Sequence, residues 1–532
     1  MKALLIALVI VAVAHGYVLL RNRAFVKLQD FNGGYTLNSS TYNRIAYDPA
    51  TNLLFVTAKE PGHLSVFTLS YQGVPTLVTV FKLDSDTRGQ PLDIEFCRPV
   101  EPGGIARLAI SFNDPSNPAA DGTVRIYRAL SPVSPTLEII QTLTVGSQPV
   151  DMEFAQDCNV LVVANQGRPA QDLSSVLDPE GTVTKISLPF DLTESSVITV
   201  TTIGFSALFS GSIGQDTLRE ELAENNFRFR PVRDNQGNPI SVAQNMEPTN
   251  VIVSPNGLMA YVALPRNNAV ARINLDTNLV STIYPLGNRS WNSYYLDPSD
   301  YDLGVNMRRY NAHSTYQARQ VRWVVQNNTE WIITLDAGFV NEIPEYDYAD
   351  WRRGKELLER GVIETTDSNL RAQLADDTQL GRAAISIEDG IVSTSPLRLE
   401  NVFLFGGRGI SIRDSNTFQV RTTLVDNIER VAAQTHPEIF NGGFTNPSHS
   451  PQQDRDATSP FLGPNLSTIE SGYYNGNIVM FVGSATAGII YVYVLSPDAN
   501  CPQPYFHSAF RLGSTFSSWT SLTSRAPSAT SA

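Results

Sequence analysis

The chain has 532 residues, and its 39 lysines and arginines are outnumbered by 52 aspartates and glutamates, which gives a formal net charge of −13 at pH 7. A chain of this length accommodates several ordinary domains or one large repeat domain. An acidic protein repels nucleic acid and anionic membranes, so we expect neither as a partner. The charge favours cations, basic partners or mineral surfaces, although solubility alone also accounts for it.

The first sixteen residues have the parts of a secretory signal peptide. Lys2 supplies a positive charge, residues 3–14 are an apolar run, and 14–16 (AHG) is a small-x-small cleavage site. The run is too short to span a bilayer comfortably, and no later stretch reaches ~18 uninterrupted apolar residues. We therefore predict a signal peptide at 1–16, a secreted mature protein and no membrane span, with an uncleaved anchor as the alternative.

Two pairs of segments reveal an internal repeat. Residues 90–96 (QPLDIEF) recur as 148–154 (QPVDMEF), and residues 121–124 (DGTV) recur as 180–183 (EGTV). The shift is nearly the same for both pairs, so the whole unit is duplicated. Each unit reads as an alternating strand, a tight turn, a β-rich strand and, after a loop, a further strand.

Five more copies of this unit are found along the chain, several of them weak. Short apolar strands at roughly even spacing favour four-stranded blades around a central axis. We therefore predict an all-β fold, a single seven-bladed β-propeller over 17–512, with a β-sandwich as the alternative. Residues 24–28 and 506–512 are the candidates for a closing strand. The seven units lie at 44–67, 90–124, 148–183, 247–273, 321–335, 383–412 and 468–495.

Four acids in the duplicated segments alternate with apolar residues inside strands, and we expect them to form hydrogen bonds between blades near the axis. They are Asp93, Glu95, Asp151 and Glu153.

Two insertions with helical periodicity interrupt the repeat, at about 205–245 and 340–380. In the first, a helix is predicted from Asp216 to Asn225, with Asp216 as its N-cap. Long insertions on a propeller usually lie on one face and often carry function. Residues 513–532 are rich in serine and threonine, which predicts a disordered tail.

An exported protein normally pairs its cysteines. Cys97 and Cys158 occupy near-equivalent positions in adjacent repeats, so we predict a disulfide between them, with Cys501 free or bonded to another chain. Four sequons for N-glycosylation are expected to mark surface loops. They are Asn38, Asn288, Asn327 and Asn465.

A series of short motifs in fixed order resembles one known family. The motifs are 163–169 (VANQGRP), 178–183 (DPEGTV), 254–257 (SPNG), 267–270 (NNAV), 284–287 (YPLG), 406–412 (GGRGISI) and 504–511 (PYFHSAFR). Together they resemble the mesenchyme-specific cell-surface glycoproteins of skeleton-forming marine invertebrate cells and their bacterial choice-of-anchor I relatives. The resemblance covers most of 40–512 and implies a seven-bladed propeller, export and, in animals, an association with calcium-carbonate skeletons or shells.

Four loops depart from the pattern of that family by losing acids. The family's NEGE, EPEY, NEGD and GPEPEG stand here as 165–168 (NQGR), 247–250 (EPTN), 336–339 (DAGF) and 463–467 (GPNLS). If these loops surround a cation in relatives, the resemblance implies that the site is weakened or absent in this chain.

Calcium is the cofactor that the remaining acids favour, since it takes ~6–8 oxygen ligands, usually including several carboxylates. The first candidates for its ligands are Asp178, Glu180 and Glu247. Merely solvated acidic loops are the interpretation that we favour over such a site, because no candidate has the spacing of a calcium-binding loop. Further candidates are Glu342, Glu345, Asp347, Asp350, Asp454 and Asp456.

Two functions remain open. The first is a secreted binding protein of an extracellular matrix, associated with a calcium-carbonate mineral and partnered by matrix proteins or the mineral surface. The second is a calcium-dependent phosphoesterase that uses Asp178, Glu180 and Glu247 as ligands. The sequence has no HExxH, GxSxG, P-loop or CxxC motif, so we predict no catalytic residues and favour the first hypothesis.

Overall fold

Six four-stranded antiparallel sheets dominate a computed structural model of the chain. The structure describes residues 9–14, 17–22, 44–59, 62–83, 89–101, 103–131, 135–172, 175–209, 213–234, 237–302, 304–474, 476–495, 502–511 and 515–516. The predicted all-β class is confirmed. Asn38, Cys501 and the candidate closing strand at 24–28 lie outside the described residues, as do almost all of the predicted tail and much of the predicted signal peptide.

The first described strands form a hairpin, in which β1 (Val9–Ala14) pairs antiparallel with β2 (Tyr17–Asn22). Sheets 1 to 3 follow, each built from consecutive strands except for a small hairpin inserted in sheet 3. Sheet 1 holds β3 (Ile45–Asp48), β4 (Leu53–Ala58), β5 (His63–Leu69) and β6 (Pro75–Lys82). Sheet 2 holds β7 (Gln90–Cys97), β8 (Arg107–Asn113), β9 (Asp121–Arg128) and β10 (Ile139–Ser147). Sheet 3 and its hairpin comprise β11 (Pro149–Phe154), β12 (Val160–Asn165), the hairpin β13 (Ala170–Asp172) and β14 (Ser175–Leu177), then β15 (Thr182–Ser187) and β16 (Thr199–Gly204).

The second half of the chain forms sheets 4 to 6 and a set of short strands. Sheet 4 holds β17 (Asn250–Val253), β18 (Met259–Leu264), β19 (Ala269–Asn274) and β20 (Leu279–Pro285). Before sheet 5 come β21 (Asn288–Ser290) and β22 (His313–Thr315). Sheet 5 begins with β23 (Gln320–Gln326) and β24 (Thr329–Asp336). The strands inserted in it are β25 (Glu342–Ile343), β26 (Tyr348–Ala349), β27 (Trp351–Arg353), β28 (Ala384–Ser386), β29 (Ile391–Thr394), β30 (Leu397–Leu399) and β31 (Phe403–Phe405). It ends with β32 (Gly409–Asp414) and β33 (Val420–Leu424). Sheet 6 holds β34 (Leu466–Tyr474), β35 (Asn477–Ser484), β36 (Ile489–Leu495) and β37 (Pro504–Arg511).

The described residues thus form six four-stranded sheets, whereas the repeat predicts seven. The difference lies in the fifth and sixth units, because β24 pairs with β32 across an insertion of about seventy residues. The other strands of the predicted sixth unit belong to that insertion, where β28 pairs with β27 and β31 pairs with β22. Local alternation cannot distinguish a strand of a blade from a strand of an insertion.

Helices lie outside the six sheets. In the first insertion α1 (Ile213–Glu224) begins three residues before Asp216, so Asp216 is not its N-cap, and α2 (Val242–Asn245) is capped by Ser241. In the second, α3 (Gly354–Glu359) and α4 (Ser368–Ala375) pack with β28 around Leu357, Leu374 and Ile385 to form a separate hydrophobic core. A further helix, α5 (Asn427–Thr435), precedes sheet 6, and single 3₁₀ turns cover Ser206–Leu208, Pro265–Asn267, Pro344–Tyr346 and Pro437–Ile439.

Consecutive sheets share hydrophobic cores. The middle strands are buried on both faces, as in β4 and β8, which is why the sequence there is nearly continuously apolar. Sheets 1 and 2 meet through Phe55 and Leu108, and sheets 5 and 6 meet through Ile333 and Met480. Shared hydrophobic cores likewise join sheet 2 to sheet 3, sheet 3 to sheet 4 and sheet 4 to sheet 5. This stacking of repeats side by side is propeller-like.

We call the first strand of each sheet its inner strand. From sheet 2 to sheet 6, each inner strand is joined to the next by one repeated polar contact. Asp93 of sheet 2 accepts the main-chain N–H of Met152 in sheet 3 at 2.7 Å, and Asp151 accepts that of Val251 in sheet 4 at 2.9 Å. The same position is an amide in the next two sheets: Asn250 accepts from Val321 at 2.8 Å and Gln320 accepts from Ile469 at 2.9 Å. The predicted role of Asp93 and Asp151 between blades is therefore confirmed.

The repeated glycine of the DGTV and EGTV motifs is explained by a close crossing of chains. A Cβ atom on Gly122 would lie 2.4 Å from Cδ of Pro149, where the chain enters sheet 3. On Gly181 it would lie 2.0 Å from the carbonyl oxygen of Met246, where the chain enters sheet 4. Any larger residue would push the next sheet away.

A disulfide bond joins Cys97 and Cys158, with their Cα atoms 5.7 Å apart. Cys97 ends the inner strand of sheet 2, and Cys158 lies in the turn after the inner strand of sheet 3. The bond therefore links the same edge of two neighbouring sheets.

Several carboxylates lie close together along the inner strands. Arg44 forms ion pairs with Asp93 and Asp151, both at 3.2 Å, and Arg322 pairs with Glu470. Glu153 is half-buried near Asp151 and Glu470, and its burial raises its pKa to about 8.

We predict that the protein loses stability as pH rises from about 5 to about 8. A glutamate in the unfolded chain has a pKa of about 4.3, so in this range folded Glu153 binds more protons than the unfolded chain, and the free energy of unfolding falls with pH. Urea unfolding at several pH values measures the slope. Glu153→Gln should reduce it, whereas Glu194→Gln, at an exposed position, should leave it unchanged. An unaltered slope in the Glu153 variant would contradict the assignment.

Candidate functional site

The loops with the predicted calcium ligands lie at one edge of sheets 3 and 4. The end of β12 and the start of β11 share this edge, because Asn165 pairs with Pro149. The start of β17 and the end of β18 share it too, because Asn250 pairs with Ala263. Gln166 and Glu247 adjoin these strand ends, so their side chains meet across the gap between the two sheets.

Glu247 is fully buried and held by two arginines. Its Oε1 lies 2.7 Å from Nη1 of Arg230, and its Oε2 lies 2.7 Å from Nε of Arg266. Gln166 donates a further hydrogen bond to Oε2 at 3.3 Å. Burial lowers the pKa of Arg266 to about 10, so this arginine stays protonated at neutral pH. Glu247 therefore serves two guanidinium groups, and its predicted role as a calcium ligand does not fit this geometry.

The network continues from Arg266 into the second insertion. Arg266 donates to Oδ1 of Asn341 at 3.1 Å, and Nδ2 of Asn341 donates to Asp350 at 2.8 Å. Asp350 in turn binds Arg228 at 2.8 Å, and Nε of Arg228 lies 3.1 Å from Asp389. All five side chains are almost completely buried. One chain of charge-assisted contacts thus fastens the insertion to the loops of sheets 3 and 4.

Three positions that lack the acids of the family pattern lie in or beside this network. Gln166 binds Glu247, as described above, and Thr249 is buried two residues after Glu247. The ring of Phe339 lies 4.6 Å from the guanidinium carbon of Arg266, a cation–π contact. Neutral or aromatic side chains therefore stand at these three positions, and the one acid of the network in these loops, Glu247, is paired with arginines.

Asp178 and Glu180 are not assembled with Glu247 into a metal site. Asp178 accepts a hydrogen bond from the hydroxyl of Tyr346 at 2.8 Å, and burial raises its pKa to about 6. Glu180 is exposed. Among the described residues, the carboxylate oxygens of these three acids do not form a compact group. Glu247 instead lies against the guanidinium groups of Arg230 and Arg266.

The further acidic candidates are dispersed as well. Glu342 accepts a hydrogen bond from the indole of Trp351, Asp350 belongs to the arginine network, and Asp454 binds Thr445 and His449. Asp456 instead approaches Asp297 and Asp302, two residues that sequence reasoning missed. The sequence 297–306 (DPSDYDLGVN) does place acids at short intervals, but its partner lies about 150 residues away in the chain.

Two of the four sequons have contrasting surroundings. Asn327 is exposed in the two-residue turn between β23 and β24, where Asn327 and Asn328 both have positive φ angles. Asn465 is half-buried and donates to Thr486 at 3.4 Å, and its sequon continues into the buried residues Leu466 and Ser467. Asn288, the third described sequon, is exposed.

Comparison with known proteins identifies the family of this chain. The model of the choice-of-anchor I domain matches residues 43–498. The chain belongs to the choice-of-anchor I family. The mesenchyme-specific cell surface glycoprotein of Strongylocentrotus purpuratus is 28% identical over 308 residues, which cover 53% of this chain and 39% of that protein. Gigasin-3a of Magallana gigas is 25% identical over 117 residues, or 22% of this chain and 40% of the relative. This choice-of-anchor I protein thus aligns with about two fifths of the length of each relative.

Solved structures match the chain only at low TM-scores. The WD40 domain of Toxoplasma gondii coronin gives a TM-score of 0.39 at 9% identity, covering 90% of this chain and 71% of that one. The periplasmic gluconolactonase PpgL of Pseudomonas aeruginosa gives 0.38 at 11% identity, covering 94% and 90%. In the described part of this choice-of-anchor I chain, no helix has the length and apolarity needed to cross a membrane.

We predict that Glu247→Gln destabilises the protein without changing its response to calcium. The substitution leaves two buried arginines without their counter-charge, which costs about 3–5 kcal/mol of unfolding free energy. Denaturant unfolding with and without calcium measures both effects. Glu180→Gln, in the same predicted ligand set but exposed, should change neither quantity. A Glu247 variant that keeps its stability but loses a calcium response would show that Glu247 is a ligand.

We predict a glycan on Asn327 and none on Asn465. A bulky glycan needs open space around the side-chain amide in the folded protein. Asn327 is exposed, whereas Asn465 is half-buried and its sequon continues into the buried residues Leu466 and Ser467. Intact mass before and after enzymatic deglycosylation of the protein secreted by eukaryotic cells should fall by one glycan in Asn327→Gln. Asn465→Gln should match the wild type, and a lost glycan there would contradict this reading of the structure.

Proposed function

We propose that this protein is a secreted binding protein of an extracellular matrix, associated with a calcium-carbonate mineral. The observation that carries the proposal is the state of Glu247, which two arginines neutralise at the centre of the predicted cation site. Ion pairs at Glu247 suit a rigid scaffold that binds the matrix or mineral through its outer surface. A cell surface glycoprotein among its relatives and the net charge of −13 agree with this role.

The phosphoesterase alternative receives no support from the geometry. Such an enzyme needs several carboxylates converging on catalytic metal ions in an open pocket. Here Glu247 is engaged by arginines, Asp178 is bound by Tyr346, and Glu180, in the same loop as Asp178, is exposed. We therefore do not carry the enzyme forward as a second function.

Part of the acidic surface is regular enough to test. Helix α1 exposes Glu220, Glu221 and Glu224 on its last two turns. Such a row of carboxylates attracts the calcium ions of a mineral face through the same long-range electrostatics that govern other charged surfaces. Binding through this surface would weaken at high salt.

We also propose that sheets 1 and 6 face each other and close a six-bladed ring. The face of sheet 1 that points away from sheet 2 is buried at Leu54, Val56 and Phe67. The face of sheet 6 that points away from sheet 5 is buried at Val479 and Val492. Two apolar faces at the ends of a row of sheets favour closure, because open ends would expose them. An experimental structure with water between these sheets would refute it.

Three further features of the chain remain part of this proposal. They are the signal peptide at 1–16, the flexible tail at 513–532, and calcium as a bound ion. Each agrees with an extracellular protein, and N-terminal sequencing of the protein from culture medium tests the first directly.

We predict that the secreted protein adsorbs to calcite powder and that added salt releases it. Glu220→Gln/Glu221→Gln/Glu224→Gln should weaken adsorption several-fold, because three surface charges are removed while the fold is untouched. Depletion of the protein from the supernatant measures binding, and Thr217→Ala, exposed on the same helix, is the control.

A protein that stays in the supernatant at low salt would overturn the mineral-binding role. A parallel assay with a chromogenic phosphate ester addresses the alternative. Steady turnover that a calcium chelator abolishes would show that the protein is an enzyme after all.

A further inference from the structure

Three aspartates converge far from the arginine network. One carboxylate oxygen each of Asp297, Asp302 and Asp456 lies within 4.8 Å of those of the other two, and in the described part of the chain no other group of three or more acidic, histidine or cysteine residues is this compact. Asp297 is 0% and Asp456 2% exposed, and Asp302 is half-buried. The cluster joins the loop between β21 and β22 to the loop between α5 and β34.

Local hydrogen bonds hold Asp297 and Asp456, two of the three aspartates, in position. Asp297 accepts the main-chain N–H of Asn306 at 2.5 Å and that of Ser299 at 3.4 Å. Asp456 accepts the hydroxyl of Ser459, and its own N–H donates to the carbonyl of Phe440 at 2.7 Å. The carboxylates are thus held in place before any ligand arrives.

The inward oxygens of the cluster have no hydrogen-bond partner. Oδ2 of Asp302 and Oδ2 of Asp456 are both buried and unsatisfied. A buried acceptor without a donor is rare and costly in folded proteins. Because Asp456 is almost fully buried, its free oxygen is directed into the cluster and cannot reach bulk water.

No lysine or arginine neutralises the three carboxylates within the described chain. Two arginines near the cluster bind other groups: Arg408 binds Glu429 and the main-chain carbonyl of Asp297, and Arg382 binds Asp300. Elsewhere in the molecule buried acids such as Glu247 and Asp350 are paired with arginines. Three adjacent carboxylates without a counter-charge repel one another strongly, which a bound cation would relieve.

From this geometry we propose that Asp297, Asp302 and Asp456 bind a calcium ion. The donors are all hard oxygens, with no histidine or cysteine, which excludes a typical zinc site. Calcium forms bonds of about 2.3–2.6 Å and can touch oxygens on opposite sides that are up to about 5 Å apart, whereas magnesium requires bonds of about 2.0–2.1 Å in strict octahedral order. Water molecules complete the coordination.

The ion joins two loops that are distant in the chain. The loop 297–306 follows sheet 4, and Asp456 precedes sheet 6, so calcium ties the segments on either side of sheet 5. The site does not depend on the proposed matrix role, because it stabilises the fold whatever the surface binds.

Calorimetric titration of the full secreted protein, first freed of metal by a chelator, tests the proposal. We expect one calcium site with a dissociation constant on the order of 10⁻⁴ M or tighter, and a thermal midpoint that rises with calcium. Asp456→Asn should weaken this binding by about tenfold or more and abolish the thermal shift. Asp276→Asn, an exposed control, should behave like the wild type.

The metal-free variants separate a lost ligand from a damaged fold. Without calcium, Asp456→Asn should melt no earlier than the wild type, because removing one charge relieves the repulsion. If that variant does not fold, Asp302→Asn, at the least buried member of the cluster, replaces it. Unchanged calcium binding in the variant that folds, equal binding of magnesium, or no thermal shift in the wild type at 10 mM calcium would overturn the proposal.

Discussion

The hydrogen bond from one inner strand to the side chain of the previous one is the contact on which the arrangement of the sheets depends. Hydrophobic contacts between sheets are non-directional and do not by themselves fix how one sheet is placed against the next. A hydrogen bond does, because the carboxylate of Asp151 must lie at a set distance and angle from the N–H of Val251. The repeated glycines let the next chain segment approach closely enough to make that contact. Because the N–H groups are buried, each unmade bond would leave a costly unsatisfied donor.

Arginine has a second organising role in this molecule. The chain from Gln166 through Glu247, Arg266 and Asn341 to Asp350 binds an insertion of about seventy residues to the sheets. Planar guanidinium groups suit this role, since each offers several donors in fixed directions. The same contacts pair Glu247 with two arginines, so this acid helps to hold the insertion in place and is not free to bind another cation.

The three clustered aspartates differ from the buried acids that are paired with arginines. Buried acids need a compensating positive charge, and among the described residues no arginine forms an ion pair with Asp297, Asp302 or Asp456. The proposed ion-stabilised junction, the acidic composition and the glycan predicted at an exposed turn all suit a surrounding medium rich in calcium. Relatives that include a cell surface glycoprotein fit the same setting.

The sequence by itself determined the all-β class, the duplicated unit, the pairing of Cys97 with Cys158 and the role of Asp93 and Asp151 between sheets. These follow from local alternation and from an equal shift between copies, which are visible along the chain. Tertiary structure decided the number of four-stranded sheets, because β24 and β32 pair across the insertion. It also decided which acids are neutralised, as at Glu247, and which converge, as at Asp297 and Asp456. The partners of Glu247 lie 17 and 19 positions away, β24 and β32 are joined across about seventy residues, and Asp297 and Asp456 are 159 positions apart. Such contacts depend on how loops and sheets pack, and no local pattern records that.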